Sequence, residues 1–355
     1  MKKLFILSAI ILCASCKKEQ DFITKNISIV QDKDFTTTEE IKIEKSNLDT
    51  LFRVPLDLQI QGKYLIANEA RKDSTLFYLF ELPSLNLIGE IGTPGKGKGQ
   101  ILNAWQTGIN NGKAYALGLT LQKMLEYDID SIKTLGRKAV PKEYFLKERV
   151  NSVYELEFLN NETFVGLSNR SKDSRMFFNT YKNGIQTTKT TPYPIRFEQN
   201  YPSEAMTQIF DANATFDANK TKIFVANTNI RLIEIYDIDG NILKFIKFGD
   251  FKLPNFDIET SDGFPMYIDT GNNERTFLDI AASDKYLCAI FSGKVDQWES
   301  YSSKYMYVFD LDGNPIKKVI LNTEIALIHY STIDDKFYAI SVDENGDSDL
   351  VKFTI

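Results

Sequence analysis

Histidine, tryptophan and cysteine are scarce in this chain, and their scarcity excludes several kinds of site. Among 355 residues there are one histidine, two tryptophans and three cysteines. A histidine-rich zinc site cannot be built around a single imidazole. A Ser-His-Asp triad is also implausible, because no serine or cysteine nucleophile signature accompanies His329.

Positive charge and long apolar segments are lacking as well. The formal net charge is −6, whereas a nucleic-acid partner requires a basic face, so we expect no nucleic-acid binding. No apolar run approaches the 18 residues that a membrane-spanning helix needs. The longest apolar run, Leu4–Leu12 near the N-terminus, has about nine residues.

The first sixteen residues have the pattern of an export signal. Lys2 and Lys3 precede an apolar core at Leu4–Leu12, and Cys13-Ala14-Ser15-Cys16 follows. The end of this stretch resembles a bacterial lipobox, although Cys13 stands where leucine is usual. We therefore predict a signal peptide over residues 1–15 and a diacylglycerol on the Cys16 thiol. The alternatives are a plain secretory peptide in which Cys16 has no role and a cytosolic protein with an apolar N-terminus.

The residues after Cys16 predict where the anchor is held. Lys17 occupies the position where aspartate favours retention in the inner membrane of enteric bacteria, so we expect an outer-membrane lipoprotein. The charged cluster at residues 17–21 is similar to the signals that send Bacteroidetes lipoproteins to the cell surface. Residues 16–34 are interpreted as a tether to the domain that follows.

One cysteine remains after the signal and the anchor are set aside. Cys288 lies in the apolar run Tyr286–Ile290 and is expected to be a buried small hydrophobic residue. No disulfide can form within a monomer, so the stability of this chain, which we expect to be monomeric, must come from its core.

A short phrase recurs along the chain: a turn containing Gly, Asn or Asp, then an aromatic-aliphatic strand that ends in a small residue. Six copies occur, at residues 62–67, 112–117, 161–166, 220–226, 284–289 and 335–340. A second strand follows each copy, at Leu76–Leu82, Lys123–Ile129, Arg175–Tyr181, Leu232–Ile238, Tyr305–Leu311 and Leu350–Ile355. The copies are about 50 to about 63 residues apart, which is typical of four-stranded propeller blades with variable loops.

These repeats predict an all-β, six-bladed β-propeller over residues 35–355, built from four-stranded antiparallel blades. Asp239-Gly240 and Gly313-Asn314 supply the positive φ of tight hairpins. Helical periodicity is scarce, and Pro141–Arg149 is the one short helix predicted. The last blade lacks one strand, while residues 39–45 form an alternating strand with no partner in sequence. We predict that residues 39–45 pair with Leu350–Ile355 and close the ring.

The turn Phe309–Asn314 and the inter-blade loop Ile91–Gln100 carry a family resemblance. With them, the chain from Phe35 to Ile355 resembles the TolB-like six-bladed propeller lipoproteins of Bacteroidetes. The resemblance implies the propeller fold and an envelope location, but it implies no particular ligand or activity. One histidine and two tryptophans argue against WD-type blades.

Two further motifs have weaker interpretations. Gly92 to Lys98 fits the start of a phosphate-binding loop, but Gly99 replaces the Ser or Thr that holds magnesium, and an inter-blade linker explains the glycines. Asp343–Asp349 spaces oxygen side chains as a calcium loop does, but its glycine comes too early, so a solvated hairpin is preferred.

Polar residues on the expected innermost strands are candidates for the central channel. They are Asp57, Gln106, Glu155, Asp211, Asp279 and His329. The preferred interpretation is that these groups bond to neighbouring blades or to channel water. We expect a non-enzymatic binding or scaffolding module, without a cofactor, that recognises a protein or glycan through its loops. The alternative is a hydrolase or lactonase that uses channel carboxylates and calcium.

Overall fold

The computed structural model describes most of the chain from residue 21 onward. The described ranges are 21–46, 55–69, 75–147, 156–171, 174–180, 186–196, 201–261, 264–295, 301–343 and 346–355. Strands dominate these ranges. Their helices are two α-helices, Ile129–Leu135 and Ser203–Ile209, and two short 3₁₀ segments, Asp32–Asp34 and Gly136–Lys138.

The described strands form six antiparallel blades, as predicted, and each blade begins with its innermost strand. Blade one contains Pro55–Gln61, Tyr64–Glu69, Phe77–Glu81 and Asn86–Ile91. Blade two contains Gln106–Asn110, Lys113–Gly118, Lys123–Asp128 and Lys142–Phe145. Blade three contains Leu156–Phe158, Thr163–Ser171, Ser174–Thr180 and Gln186–Pro192. Blade four contains Ala212–Phe216, Lys222–Asn227, Leu232–Asp237 and Ile242–Phe248.

Blades five and six are joined by one continuous strand, Pro315–Ser331. Its first part is the outer strand of blade five and its second part is the inner strand of blade six. The other strands of blade five are Glu274–Ala282, Tyr286–Val295 and Ser303–Asp310. Those of blade six are Lys336–Val342, Ser348–Phe353 and Glu44–Lys45. Outside the blades, Asp21–Phe22 pairs with Ile195–Arg196, and Phe256–Ser261 pairs with Phe264–Asp269.

Apolar side chains on the blade faces form the core between neighbouring blades. Blade one packs on blade six, where Leu58 and Leu65 lie in one cluster with Tyr338 and Ile340. Cys288 is fully buried between blades five and six, as its apolar surroundings predict. The ring is therefore held together by packing between successive blades, including the first and the last.

Two hairpins repeat the same turn chemistry. The Asp237 carboxylate accepts a hydrogen bond from the Asn241 N–H at 2.8 Å, and Asp310 accepts from Asn314 at the same distance. The intervening glycine has a φ of +74° at Gly313, a conformation that is costly for residues with a Cβ atom. Lys222 of blade four binds Asp312 at 2.6 Å, so this turn also joins two blades.

Residues 21–46, here named the N-terminal belt, lie along the outer edges of three successive blades. Ile27–Val30 runs parallel to the outer strand of blade four, and Thr37–Ile41 runs parallel to the outer strand of blade five. Glu44 and Lys45 then pair antiparallel with Lys352 and Val351 in blade six. The belt thus covers backbone edges that would otherwise be open.

The pairing of the belt differs in extent from the prediction for residues 39–45. Only Glu44 and Lys45 pair with the last strand, and the Ser46 N–H extends the contact to the Leu350 carbonyl. The preceding residues pair with blade five instead, because its outer strand offers a free parallel edge there. Residues 27–30, which we assigned to the tether, are likewise paired with blade four.

The helix predicted over Pro141–Arg149 is wrong. Lys142–Phe145 is the outer strand of blade two, paired with Lys123–Asp128. The chain forms a helix earlier instead, at Ile129–Leu135, where the Asp128 carboxylate caps the first turn by accepting from the Ser131 N–H at 2.8 Å. Pairing along the blade edge outweighs the weak local preference that suggested the helix.

Candidate functional site

The inner strands surround a narrow central cavity of about 20 Å³. That volume holds about one water molecule. Its lining residues are Leu56, Asp57, Leu58, Gln59, Gln106, Asn213, Ala214, Asp279, Ile280, Leu327, Ile328 and His329. The cavity is thus bounded by the inner strands of blades one, two, four, five and six.

Four of the six predicted channel residues come together in this cavity. Asp57, Gln106, Asp279 and His329 all line it. Glu155 lies outside the described residues. Asp211 is described but does not line the cavity, so the placement predicted for it is not observed.

Asp211 precedes the inner strand of blade four and binds within its own blade. Its carboxylate accepts from the Thr228 hydroxyl at 2.8 Å, and its carbonyl accepts from the Thr228 N–H. The helix Ser203–Ile209 delays the start of the strand to Ala212. Asn213 therefore occupies the cavity position, where its side-chain amide donates to the Leu278 carbonyl of blade five.

Sequence reasoning missed two polar cavity residues, Asn213 and Gln59. Both lie two positions from a predicted residue, Asp211 and Asp57 respectively. Residues i and i+2 share one side of a strand. For Gln59 that spacing was a signal that could have identified it, whereas the position of Asn213 depends on the start of its strand at Ala212, which the sequence did not predict.

Asp57 fastens blade one to blade two. One carboxylate oxygen accepts from both the Thr107 N–H at 2.9 Å and the Thr107 hydroxyl at 2.8 Å. The other oxygen accepts a longer bond from the Gln59 amide at 3.3 Å. Hydrogen bonds to a carboxyl group inside the protein offset the cost of burying it.

Asp279 makes the corresponding link between blades five and six. Its carboxylate accepts from the Ile328 N–H at 2.7 Å and from its neighbour Ile280 at 2.8 Å. Asp57 and Asp279 therefore share one structural task, since each holds the inner strand of the next blade. This arrangement agrees with the interpretation that channel groups bond to neighbouring blades.

Burial shifts the protonation of all three titratable cavity groups. It raises the pKa of Asp57 and raises the pKa of Asp279 to about 7, to which the charge of Asp57 adds. Part of the Asp279 side chain faces the cavity, but the cavity lies deep in the protein and hydrates the carboxylate poorly. Burial lowers the pKa of His329, so its ring is neutral at pH 7.

The side chains of Asp57, Asp279 and His329 can bind protons and one small polar molecule the size of water. The His329 Nδ1 lies 3.1 Å from the Tyr330 carbonyl, which can only accept, so Nδ1 carries the proton and Nε2 the lone pair. Among the described residues, no group of three or more His, Cys, Asp or Glu side chains is arranged to bind a metal ion. The cavity can hold water, but an organic substrate exceeds its volume.

The two faces of the disc differ in their loops. Each inner strand starts at one face, entered through the long connections 92–105, 193–211 and 249–273, and this is named the loop face. Each inner strand ends at the opposite, hairpin face. The hairpins that follow the inner strands there are short, as at residues 62–63, 111–112 and 283–285, and the longer connection 129–141 of blade two carries the helix Ile129–Leu135. The loop face therefore has the larger capacity for variable surface.

Aromatic side chains are exposed on the loop face. Trp105, immediately before the inner strand of blade two, is 46% exposed, and Tyr301 is 49% exposed. The Arg275 guanidinium stacks 4.1 Å from the centroid of the Tyr301 ring and donates to its hydroxyl at 3.0 Å. Trp, Tyr and Arg are the residues that most often dominate the energy of protein interfaces.

Comparison with known families agrees with this architecture. The model of the family described as TolB-like 6-blade propeller-like matches residues 32–332. The chain belongs to this TolB-like propeller family. The match spans blades one to five and ends after the inner strand of blade six.

Two solved structures share the propeller fold. One is a protein of Bacteroides fragilis described as exported, 13% identical, with a TM-score of 0.54 and coverage of 92% of this chain and 99% of that chain. The other is a duf4221 family member from Bacteroides vulgatus, 12% identical, with a TM-score of 0.56 and coverage of 89% and 96%. At these identities the likeness shows the fold alone. No curated protein matches this chain.

Two motifs from the sequence have structural explanations in this propeller. Residues 92–100 form an inter-blade loop, and the inner strand Gln106–Asn110 follows where a phosphate-binding loop requires a helix. Of the 343–349 segment, residues 344 and 345 lie outside the described part of the chain, and Asp343 accepts from the Asp347 N–H at 2.9 Å. None of the helices in the described part of the chain has the length and apolar character needed to cross a bilayer.

Proposed function

We propose that this propeller is a binding or scaffolding module held at the outer membrane through acylated Cys16. It would recognise a protein or glycan partner through its loop face, and the anchored disc would face the cell exterior. The export pattern of residues 1–15 supports this proposal. A structural neighbour from Bacteroides fragilis is also described as exported.

The exposed aromatic groups of the loop face carry the binding part of the proposal. Trp105 and the stacked pair Arg275–Tyr301 offer rigid, amphipathic contact area at little cost in conformational entropy. The central cavity offers an organic ligand no comparable space. A partner would therefore contact the loops and not the channel.

A channel-sited hydrolase or lactonase is less well supported by the geometry. Its two carboxyl groups already bind Thr107 and Ile328 of the neighbouring blades, and the cavity has room for about one water molecule. We expect that adding calcium leaves the melting temperature unchanged. A calcium-dependent rise that disappears in Asp279→Asn would favour the enzyme over the binding module.

The anchor is tested by replacing the acylated thiol. We expect the full chain to partition into the detergent phase of a cell extract and to carry a lipid-sized mass increase on Cys16. Cys16→Ser should lose both properties, and Cys288→Ser should retain them because Cys288 is buried in the core. Detergent partitioning of Cys16→Ser at the level of the unsubstituted chain would refute the anchor.

The binding surface is tested by crosslinking in living cells of the native host. A photoreactive amino acid at Trp105 should give adducts with an envelope protein or polysaccharide. The same amino acid at Ile333, which is 51% exposed but lies in a hairpin of the opposite face, should give none. With the captured partner, Trp105→Ala should weaken binding by about tenfold or more. Equal adducts at both positions would contradict the proposal.

A further inference from the structure

The N-terminal belt fixes where the proposed lipid anchor meets the disc. Phe22 is partly buried against Phe245 and Phe251 at the outer edge of blade four, with ring centroids 5.9 Å and 5.6 Å apart. The backbone of Asp21–Phe22 pairs with Ile195–Arg196. The chain therefore leaves the disc toward Cys16 at one defined place on the rim.

Only a short stretch of chain separates that place from Cys16. Five residues from Cys16 to Asp21 span at most about 17 Å when fully extended. The rim of blade one, on the opposite side of the ring, lies roughly 40 Å away, given two blades of four strands spaced about 4.8 Å apart. A tether this short keeps the rim of blade four near the bilayer. When the plane of the disc is perpendicular to the membrane, the rim of blade one is too far away to contact the lipids.

The side chains at this place fit an anionic lipid surface. Lys247 lies over the rings of both Phe22 and Phe251, with its ammonium 5.3 Å and 5.4 Å from their centroids. Lys25, Arg196 and Lys252 are exposed nearby, while Asp250 and Asp21, the backbone partner of Arg196, offset two of these four charges. The patch is basic although the whole chain has a net charge of −6.

An exposed apolar residue lies in the same patch. Ile29, in the belt strand Ile27–Val30, is 64% exposed, and it pairs directly with Lys247 across the parallel ladder. Apolar groups surrounded by lysine and arginine are typical of surfaces that bind to lipid headgroups. The basic charge of the patch and the short tether to Cys16 both indicate that this patch contacts an anionic lipid surface.

We propose that the anchor rim, defined as Phe22, Lys25, Ile29, Arg196, Lys247 and Lys252, is the membrane-facing surface of the disc. The disc would stand on its edge, with blade four on anionic headgroups and blade one farthest from the bilayer. Both faces, including the loop face, would then remain open to partners from the side. This inference rests on the proposed acylation of Cys16.

Labels at two exposed positions test the orientation. Ile29→Cys and Leu87→Cys place a thiol on the outermost strands of blades four and one, where both native side chains are exposed. In the mature protein Cys16 is acylated and Cys288 is buried, so each variant has one reactive thiol. The full lipidated chains would be labelled with a fluorophore and reconstituted into phosphatidylcholine–phosphatidylglycerol vesicles that contain a nitroxide lipid.

We expect several-fold stronger quenching of the label at residue 29 than of the label at residue 87. Omitting phosphatidylglycerol should reduce the quenching at residue 29, because the basic side chains lose their attraction to the surface. Equal quenching at both positions, or stronger quenching at residue 87, would overturn the edge-on orientation while leaving the anchor intact. Failure of the lipidated chain to bind vesicles at all would overturn the anchor itself, and the orientation with it.

Discussion

The acidic residues at the centre of the ring link neighbouring blades of the propeller. Asp57 and Asp279 are acidic groups that the sequence places on inner strands, and the structure explains both as links to the next blade. The pattern of polar residues on repeated strands was sufficient to predict four cavity residues. It could not locate Asn213, because the register of that strand depends on where the preceding helix ends.

Asp279 gives the stability of the protein a pH dependence with a defined sign. Its pKa of about 7 exceeds the ordinary value of 3.8, so the folded state retains a proton that the unfolded chain releases. Its contribution is therefore full below about pH 4 and is lost as the pH rises toward 7. Between pH 5 and 8 this amounts to roughly 2 kcal/mol of unfolding free energy.

Replacing the ionisable group should remove that dependence. We expect the unfolding free energy of Asp279→Asn, measured by urea denaturation from pH 5 to pH 8, to decline less than that of the unsubstituted chain. The difference between the two curves reports the titration of Asp279 together with its electrostatic effect on Asp57, because the two carboxyl groups interact, whereas His329 titrates in both proteins. Parallel curves would show that Asp279 has an ordinary pKa.

Gly313 couples a turn to the packing of the next blade. A Cβ atom there would lie 2.5 Å from the Ile246 Cδ1 and 2.8 Å from the Ile235 Cδ1, both in blade four. Gly112 has the same φ of +74° but open space around it. Gly112→Ala should lose about 1 kcal/mol from backbone strain, and Gly313→Ala should lose about 1–3 kcal/mol more from overpacking. Equal losses in chemical denaturation would argue against the contact between blades.

At the scale of elements, the sequence predicts strands in which apolar and polar residues alternate and which end in recognisable turn residues. It does not predict strands that form only because a distant segment pairs with them. In blade four, the strand after the repeated phrase was predicted at Leu232–Ile238 and observed, as the third strand of the blade, at Leu232–Asp237. Lys142–Phe145 was mistaken for a helix because its pairing partner, and not its own sequence, makes it a strand. The strand Ile27–Val30 was assigned to the tether because its pairing with blade four, and not its own sequence, makes it a strand.

The belt strand in blade four should contribute to folding stability. Val30 is 4% exposed and lies opposite Phe248, whereas its neighbour Ile29 points outward. Val30→Ala should therefore lower the unfolding free energy by about 2 kcal/mol through lost burial and a residual cavity. Ile29→Ala is the matched control and should change it by less than about 0.5 kcal/mol. Equal small effects in urea titrations would mean that residues 27–30 act only as a tether.

At the scale of the whole molecule, the repeat predicted the six blades and their four-stranded form. Length and periodicity sufficed, because each copy needs a neighbour to bury its faces. The route of the N-terminal segment could be predicted only in outline. Which free edge a short strand occupies depends on the geometry of the assembled ring, and two edges compete for residues 37–45.

A disulfide across the belt and the last strand tests this closure. Lys45 and Val351 are directly opposite each other in the antiparallel pair. The double variant Lys45→Cys/Val351→Cys should oxidise readily, and its oxidised form should melt at a higher temperature than its reduced form, because the bond closes a very long loop. Glu40→Cys/Val351→Cys is the control, since Glu40 pairs with Ile320. Oxidation of the control pair at the same rate would contradict the observed register.

The belt also determines when folding of the propeller can be completed. Glu44 and its partner Lys336 are 292 positions apart in the chain, so the segment made first must wait for the segment made last. A ribosome-bound or partly translocated chain therefore leaves the edges of the belt strands unpaired until the matching blades are made. Such late-closing topologies fold slowly and are vulnerable to aggregation while incomplete. Escort by periplasmic chaperones during biogenesis would protect those edges until the final strands arrive.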